Sequence, residues 1–293
     1  MKIAIYGKKI EANYLPFVET LFQRLIDEGV EVYIYKFFYE DLIHQIPIEK
    51  LNLAVFQDAE DVKDVNYMFR IGGDGTLLKT ITFVKDNNIP ILGINTGRLG
   101  FLTSIITEEI ESAIDDVLAG NFNLDTRTLL SLETENNFFG DINYALNEIT
   151  LQKKDTSSMV TIQVYLGDDF LNSYWADGLI ISTPTGSTAY SLSCNGPIIL
   201  PGSGNIIINP IAPHNLNVRP VVIPDDTELT LKIEGRTENF LVALDSRSLT
   251  VPLSIELKIK KASHQINLIR LKNYSFLNTL RTKLIWGFDK RNY

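Results

Sequence analysis

The chain has 293 residues, 45% of them hydrophobic and 22% charged, which is ordinary globular usage and excludes collagen-like, disordered and low-complexity classes. The 27 Lys and Arg residues against 36 Asp and Glu residues give a net charge of −9, so we expect no nucleic-acid partner. The single cysteine, Cys194, excludes an intramolecular disulfide, and no apolar run approaches the ~20 residues of a membrane helix. We therefore expect a cytoplasmic protein with no membrane partner.

Strand-like and helix-like spacings alternate over the first 120 residues. Apolar runs predict strands at residues 2–6, 30–35, 65–71 and 90–94. Apolar residues at helical spacing predict helices at 14–28, 77–84 and 107–118. This alternation predicts an α/β domain over 1–122, with a mainly parallel sheet covered by helices.

The pattern then changes to a period of two. Val160, Ile162 and Val164 share one face of a run at 159–166, and runs at 229–233 and 255–259 repeat the alternation. Such runs without intervening helices predict an antiparallel, β-rich domain over 123–272. Helical spacing returns at 275–286, and we expect a C-terminal helix at about 275–293 to pack back on the first domain.

The strongest local signal is the glycine-rich segment at 70–78, Arg-Ile-Gly-Gly-Asp-Gly-Thr-Leu-Leu. Glycines between a strand and a helix allow positive φ and close approach of a ligand, and the helix N-terminus attracts phosphate. Gly72, Gly73 and Gly75 thus predict a phosphate loop. Asp74 would repel phosphate, so it predicts work on a hydroxyl proton or a metal ion.

Other interpretations of this segment are weaker or remain open. The structural alternative is a tight strand-to-helix turn with Asp74 as its N-cap. The P-loop motif is excluded because Leu78 stands where its second glycine is required, and no Rossmann spacing of glycines occurs.

Two further polar segments follow apolar strands. Asn147 and Glu148 could bind ribose hydroxyls or an amide, or could simply form a turn or strand end. Residues 183–191 gather hydroxyls and small side chains with Tyr190 available to stack on a base, or form a structural loop. The three histidines are scattered and no cysteine pairs exist, so we expect no metal site built from side chains alone.

Together these segments resemble the NAD kinase family, which phosphorylates NAD to NADP. The resemblance runs through Gly-Gly-Asp-Gly-Thr at 72–76, the glycine-rich segment at 93–102, Ala-Leu-Asn-Glu at 145–148, Thr-Pro-Thr-Gly-Ser-Thr-Ala-Tyr from 183, and the segments at 210–214 and 219–220. The Gly-Gly-Asp-Gly motif alone is shared with diacylglycerol-type lipid kinases and, more loosely, with phosphofructokinases. The combination is specific.

The resemblance implies the NAD kinase-like two-domain fold. It also implies ATP as the phosphate donor, NAD as the acceptor and a divalent ion, Mg²⁺, as cofactor. Asp74 would be the general base for the 2′-hydroxyl of the adenosine ribose. The residues that would contact the dinucleotide are Asp74, Gly75, Lys79, Asn147, Glu148, Asp177, Thr188, Ala189, Tyr190, Ser191, Leu192, Ser193 and Ala212. Within this set, Asn147 and Glu148 would hold ribose or nicotinamide groups, and residues 188–193 would form the adenine pocket. Family members suggest a homodimer or homotetramer.

The chain departs from the family pattern at a few positions. Arg247, in Asp245-Ser246-Arg247, stands where many members have Gln, so either an amide interaction is lost or an arginine–phosphate interaction becomes available. Trp175 stands where a basic residue is common, and Cys194-Asn195 replaces small residues. The alternative functions are a diacylglycerol-type lipid kinase, which shares the Gly-Gly-Asp-Gly motif, and a non-catalytic NADP-binding regulator.

Overall fold

The computed structural model describes residues 1–97, 100–103, 105–154, 159–235, 238–272 and 274–286. The chain divides into two compact units, the first formed by Met1–Thr126 with Ile266–Tyr293 and the second by Arg127–Gln265. The boundary expected at 122/123 falls at the start of a strand, Phe122–Glu133, along which the chain leaves the first unit. The chain returns along the strand Leu257–Leu271.

In chain order, the helices are α1 (Leu15–Asp27), α2 (Lys36–Leu42), α3 (Asp74–Val84), α4 (Ile110–Leu118), α5 (Tyr190–Ser193) and α6 (Phe276–Leu284). The strands are β1 (Lys2–Gly7), β2 (Glu31–Tyr35), β3 (Ala54–Phe56), β4 (Tyr67–Ile71), β5 (Ile91–Asn95), β6 (Ile105–Ile106), β7 (Phe122–Glu133), β8 (Tyr144–Ala145), β9 (Glu148–Lys153), β10 (Val160–Leu166), β11 (Asp169–Ala176), β12 (Gly178–Ser182), β13 (Asn205–Ile211), β14 (Val221–Pro224), β15 (Leu229–Glu234), β16 (Asn239–Leu244), β17 (Arg247–Pro252) and β18 (Leu257–Leu271). None of the helices in the described residues is long and apolar enough to cross a membrane.

The first unit is built on a parallel sheet, as predicted. Its order is β18-β5-β4-β1-β2-β3, and all of these neighbours pair in parallel. β5 is buried along its whole length, as expected for a strand that is covered on both faces. The helical spacing predicts an apolar face of Phe17, Val18, Leu21, Phe22 and Leu25 on α1; all of these are buried except Phe17, which is half-buried.

The second unit is antiparallel, which confirms the predicted fold class. One sheet has the order β14-β13-β12-β9-β16-β17, and β11, β10, β15 and the first part of β18 form another antiparallel set. Val160, Ile162 and Val164 on β10 are buried, whereas the residues between them are half-buried, because alternate side chains of a strand point to opposite faces.

Several elements of the structure differ from those that the sequence predicts. α3 begins at Asp74 rather than at residue 77, because the first helical turn contains the loop glycine Gly75. α2 and β3 were not predicted, since each is short and α2 carries charged residues among its aromatic ones. β18 continues to Leu271, well beyond the strand predicted at 255–259.

Candidate functional site

The glycine-rich loop joins β4 to α3 in the first unit. Gly72 has φ of 137°, and a Cβ there would lie 2.5 Å from the Oγ1 of Thr76, so this position needs glycine. Gly73 and Gly75 have no positive φ, and a Cβ on either would meet nothing within 4 Å. Their open surroundings leave the loop backbone accessible to a ligand.

Asp74 is held by the backbone of a neighbouring loop. Its Oδ2 accepts a hydrogen bond from the N–H of Phe101 (2.7 Å) and its Oδ1 one from the N–H of Leu102 (3.2 Å). A Cβ on Gly100 would lie 2.0 Å from Oδ1, so the approach requires glycine at position 100. Gly73, not Asp74, is the N-cap of α3, which removes the simple capping interpretation. The carboxylate side chain remains 32% exposed.

Arg70, which the sequence analysis did not select, lies beneath this loop. It is fully buried, and its Nη1 donates to the carbonyl oxygens of Gly72 (2.8 Å) and Gly73 (2.6 Å). Its Nη2 is 3.6 Å from the Oδ1 of Asp74. Burial lowers the pKa of the guanidinium from 12.5 to about 10, so it remains charged at neutral pH. The available signal was a charged residue inside an apolar run that leads to glycines.

Two neighbouring features complete this part of the first unit. Lys79 is exposed on α3, with its Nζ 5.9 Å from the centroid of the Phe83 ring. Asn95, at the end of β5, donates from Nδ2 to the carbonyl oxygen of Gly97 (2.6 Å). The family-like segment at 93–102 includes residues 98–99, which lie outside the described residues.

In the second unit, Asn147 and Glu148 lie where β8 ends and β9 begins. The buried carboxylate of Asp245 accepts hydrogen bonds from the N–H groups of Leu146 (2.8 Å), Asn147 (2.8 Å) and Glu148 (3.2 Å). Asp245 has φ of 53°, a left-handed conformation that Asp tolerates better than most residues. The turn between β16 and β17 therefore fixes the backbone of this motif.

Arg247, at the departing position, also binds this segment. Its guanidinium donates to the carbonyl oxygens of Ile142 and Tyr144. From the sequence, an arginine–phosphate interaction was one of two possibilities at this position. In the structure, the two terminal nitrogens bond to the protein's own backbone.

Glu148 is a buried carboxyl group with an unusual environment. It is 8% exposed, and its Oε2 has no hydrogen-bond partner among the described residues. Burial first and the nearby charge of Asp245 second raise its pKa from 4.5 to about 8, against the opposing effect of a hydrogen bond from the N–H of Tyr190. At neutral pH most of the carboxyl is therefore protonated and able to donate a hydrogen bond.

The hydroxyl-rich loop after β12 contains two classes of residue. Thr183, Ser187 and Ser191 are fully buried and bond within the protein: Thr183 donates to the carbonyl of Leu146, and Ser191 accepts from the Nδ2 of Asn209. Accessible residues follow in the same loop: Thr188, Ala189 and Leu192 are half-buried, and Tyr190 and Ser193 are exposed. The hydroxyl of Tyr190 accepts from the Nε2 of Gln152 (3.1 Å).

Asp177 and Ala212 are brought near each other by the pairing of β12 with β13. Gly178 is in register with Ile211, and the N–H of Asp177 donates to the carbonyl of Ile211. Asp177 forms an ion pair with Lys153 (2.6 Å), and Ala212 is exposed with φ of 44°. Trp175, also exposed, contacts the ring of His214 at a centroid distance of 4.8 Å.

Comparison with known proteins identifies the family. Residues 3–122 match the model of the ATP-NAD kinase N-terminal domain, and residues 146–271 match that of the ATP-NAD kinase C-terminal domain. The chain belongs to the NAD kinase family. It is 46% identical over 292 residues to an NAD kinase of Cytophaga hutchinsonii and 48% identical over 299 residues to one of Flavobacterium psychrophilum, and each comparison covers 100% of both chains.

Solved NAD kinase structures share the fold. Yeast NADH kinase complexed with NADH matches with a TM-score of 0.87 at 21% identity, covering 98% of this chain and 88% of that one. An NAD kinase from Archaeoglobus fulgidus in complex with ATP matches with a TM-score of 0.77 at 24% identity, covering 97% and 99%. Family membership makes the chain an enzyme of the kinase class, with the two-domain fold that the sequence predicted.

The close approach of Gly100 to Asp74 predicts a sharp difference between two glycine substitutions. Gly100→Ala would push a methyl group into the carboxylate of Asp74, so we expect NAD kinase turnover to fall at least about tenfold while the protein stays folded. Gly97→Ala is the matched control, since a Cβ there meets nothing within 4 Å. Equal turnover in the two variants, with equal melting temperatures, would show that the held position of Asp74 does not matter.

The environment of Glu148 predicts a pH-dependent stability. Between about pH 5 and pH 8 the folded chain binds a proton that the unfolded chain has lost, so wild-type stability falls as pH rises through this range. Glu148→Gln does not titrate at this position. The melting temperature of the variant minus that of the wild type should therefore increase from pH 6 to pH 9. Glu256→Gln, at an exposed carboxylate of the same unit, is the control. A constant difference across the range would contradict the raised pKa.

Proposed function

We propose that this chain transfers the γ-phosphate of ATP to the 2′-hydroxyl of the adenosine ribose of NAD, forming NADP. Family membership over the whole chain supports the reaction. The observation that carries the assignment of roles is the Asp74 carboxylate, held by two backbone N–H groups at the edge of an accessible glycine loop and still partly exposed.

In this proposal Asp74 is the general base. The 2′-hydroxyl gives its proton to the carboxylate, its oxygen forms a bond to the γ-phosphorus, and the bond from that phosphorus to the β,γ-bridging oxygen breaks to release ADP. Phosphoryl transfer depends mainly on positioning and charge stabilisation, so a fixed carboxylate beside a phosphate loop fits its needs. In the loop formed by Gly72, Gly73 and Gly75, the N–H groups of Gly73 and Gly75 would bind phosphate oxygens, because the N–H of Gly72 donates to the carbonyl of Ile94.

We assign the dinucleotide contacts to residues that are accessible or that have polar groups left free to bind a ligand. Asn147 and Glu148 would bind ribose or nicotinamide groups, and the protonated Glu148 can donate as well as accept. Thr188, Ala189 and Tyr190 would line the adenine pocket, since they remain accessible in their loop. Residues also assigned to NAD are Gly75, Lys79, Asp177, Leu192, Ser193, Ala212 and Ser191, the last through its N–H because its hydroxyl and its carbonyl both accept hydrogen bonds from Asn209.

The donor ATP would carry a divalent ion, for which Mg²⁺ is the natural choice. Within the described residues, no group of three or more His, Cys, Asp or Glu side chains is placed to hold a metal. Mg²⁺ is usually held by phosphate oxygens, water and one or two carboxylates, so the fit is to an ion that arrives with ATP. Bound in this way, it would neutralise phosphate charge during transfer.

The two alternative functions give different results in one experiment. Purified protein is incubated with ATP, Mg²⁺ and NAD, and NADP is measured with an NADP-specific dehydrogenase. A lipid kinase would instead phosphorylate diacylglycerol in vesicles, and a non-catalytic regulator would bind NADP without turnover. Only formation of NADP agrees with the proposal, which the family match favours over both alternatives.

The role of Asp74 predicts a large and selective loss in Asp74→Asn. We expect turnover to fall at least about 10²-fold, the usual contribution of a general base, while the affinity for NAD measured by calorimetry changes little. Asp86→Asn, at an exposed aspartate just beyond α3, should retain wild-type turnover. Full activity of Asp74→Asn would remove Asp74 from the role of base.

A further inference from the structure

The buried guanidinium of Arg70 has no part in the function proposed above. It stands in β4 opposite Gly93 of β5, and a Cβ on Gly93 would come within 3.0 Å of its Nη2. Because position 93 has no side chain, the sheet has room for the Arg70 guanidinium; any residue other than glycine there would press on it. The guanidinium also points in a defined direction, because both carbonyl groups that it binds belong to the phosphate loop.

Peptide geometry converts these two hydrogen bonds into an orientation of the loop. In a planar trans peptide, the carbonyl of one residue and the N–H of the next point in opposite directions. Because the carbonyls of Gly72 and Gly73 point to Arg70, the N–H groups of Gly73 and Asp74 point away from it. That second N–H belongs to the first residue of α3, where backbone donors have no partner within the helix.

We propose that Arg70 is a positioning residue for the phosphoryl donor: it turns the N–H groups of Gly73 and Asp74 outward and places a positive charge behind the phosphate loop. The ligand is the polyphosphate chain of a nucleoside triphosphate, so this inference rests on the proposed function. Arg70 itself is fully buried and acts through the loop rather than by direct contact with the ligand.

The electrostatics around Arg70 support this role. Asp74 is the nearby anion, at 3.6 Å, and Arg270 is a second cation, whose like charge lowers the pKa of Arg70. Nε and Nη2 of Arg70 have no hydrogen-bond partner among the described residues. A buried cation with so few partners is costly in the free protein, and an anion bound above the loop would lower that cost.

The experiment separates the charge of Arg70 from its hydrogen bonds. Arg70→Met removes both, Arg70→Gln retains N–H donors without charge, and Arg70→Lys retains the charge without the planar fork. We would measure the dissociation constants of Mg·ATP and of NAD by calorimetry, together with kcat, both KM values and the melting temperature. The control is Phe69→Leu, which perturbs the same buried strand without touching the loop.

We expect Arg70→Met to weaken Mg·ATP binding at least about tenfold, with NAD binding changed less than about threefold. Arg70→Gln and Arg70→Lys should each recover part of the loss. Gly93→Ala, which presses on the guanidinium without removing it, should give a smaller loss of the same kind and provides the test if Arg70→Met does not fold.

Two results would overturn the inference. Unchanged Mg·ATP binding in Arg70→Met, or in Gly93→Ala if Arg70→Met does not fold, would show that the loop does not depend on the guanidinium. Equal losses for ATP and NAD, matched by Phe69→Leu at the same melting temperature, would show a merely structural role. If the wild type forms no NADP, the proposed function fails, but the ATP-binding comparison still decides the role of Arg70.

Discussion

The first unit depends on a carboxylate held by backbone N–H groups: Asp74, bonded to Phe101 and Leu102. This interaction is available because β4 and β5 are adjacent and parallel, so the loops that follow them emerge at the same edge of the sheet. Gly100 then allows the second loop to reach the carboxylate at a distance that any side chain would prevent. Sheet order, glycine placement and the position of the candidate base are therefore parts of a single constraint.

The second unit also contains a carboxylate held by backbone N–H groups, but here the backbone, not the carboxylate, belongs to the candidate site. There the buried carboxylate, Asp245, is a support, and the backbone that it binds at residues 146–148 presents Asn147 and Glu148. Burial first, and the nearby negative charge of Asp245 second, raise the pKa of Glu148 and keep its carboxyl largely protonated at neutral pH. One hydrogen-bonded turn thus sets the position of the motif and contributes to its ionisation.

The sequence predicted what local patterns determine. The change from helical spacing to alternation indicated the two fold classes, and the strand–glycine–helix pattern indicated the turn between β4 and α3, at whose end Asp74 begins the helix. It could not predict the partners of these residues, since Asp245 binds Asn147 across 98 positions of the chain and Phe101 binds Asp74 across 27. Within the hydroxyl cluster, composition alone did not separate the buried Ser191 from the exposed Tyr190, because both types suit a polar loop.

Arg70, which the sequence analysis did not select, and Glu148, which it did, share one feature. Each is a charged residue type in a buried position, and each has a nitrogen or oxygen atom without a partner among the described residues. An apolar side chain would stabilise either position more, because burying an incompletely paired ionisable group costs several kcal/mol in typical cases. Residues that contradict the apolar pattern of their own strand are therefore better explained by what a ligand requires than by what the fold requires. Two such residues in this chain are Arg70, beneath the glycine-rich loop, and Glu148, beside the hydroxyl-rich loop of Tyr190.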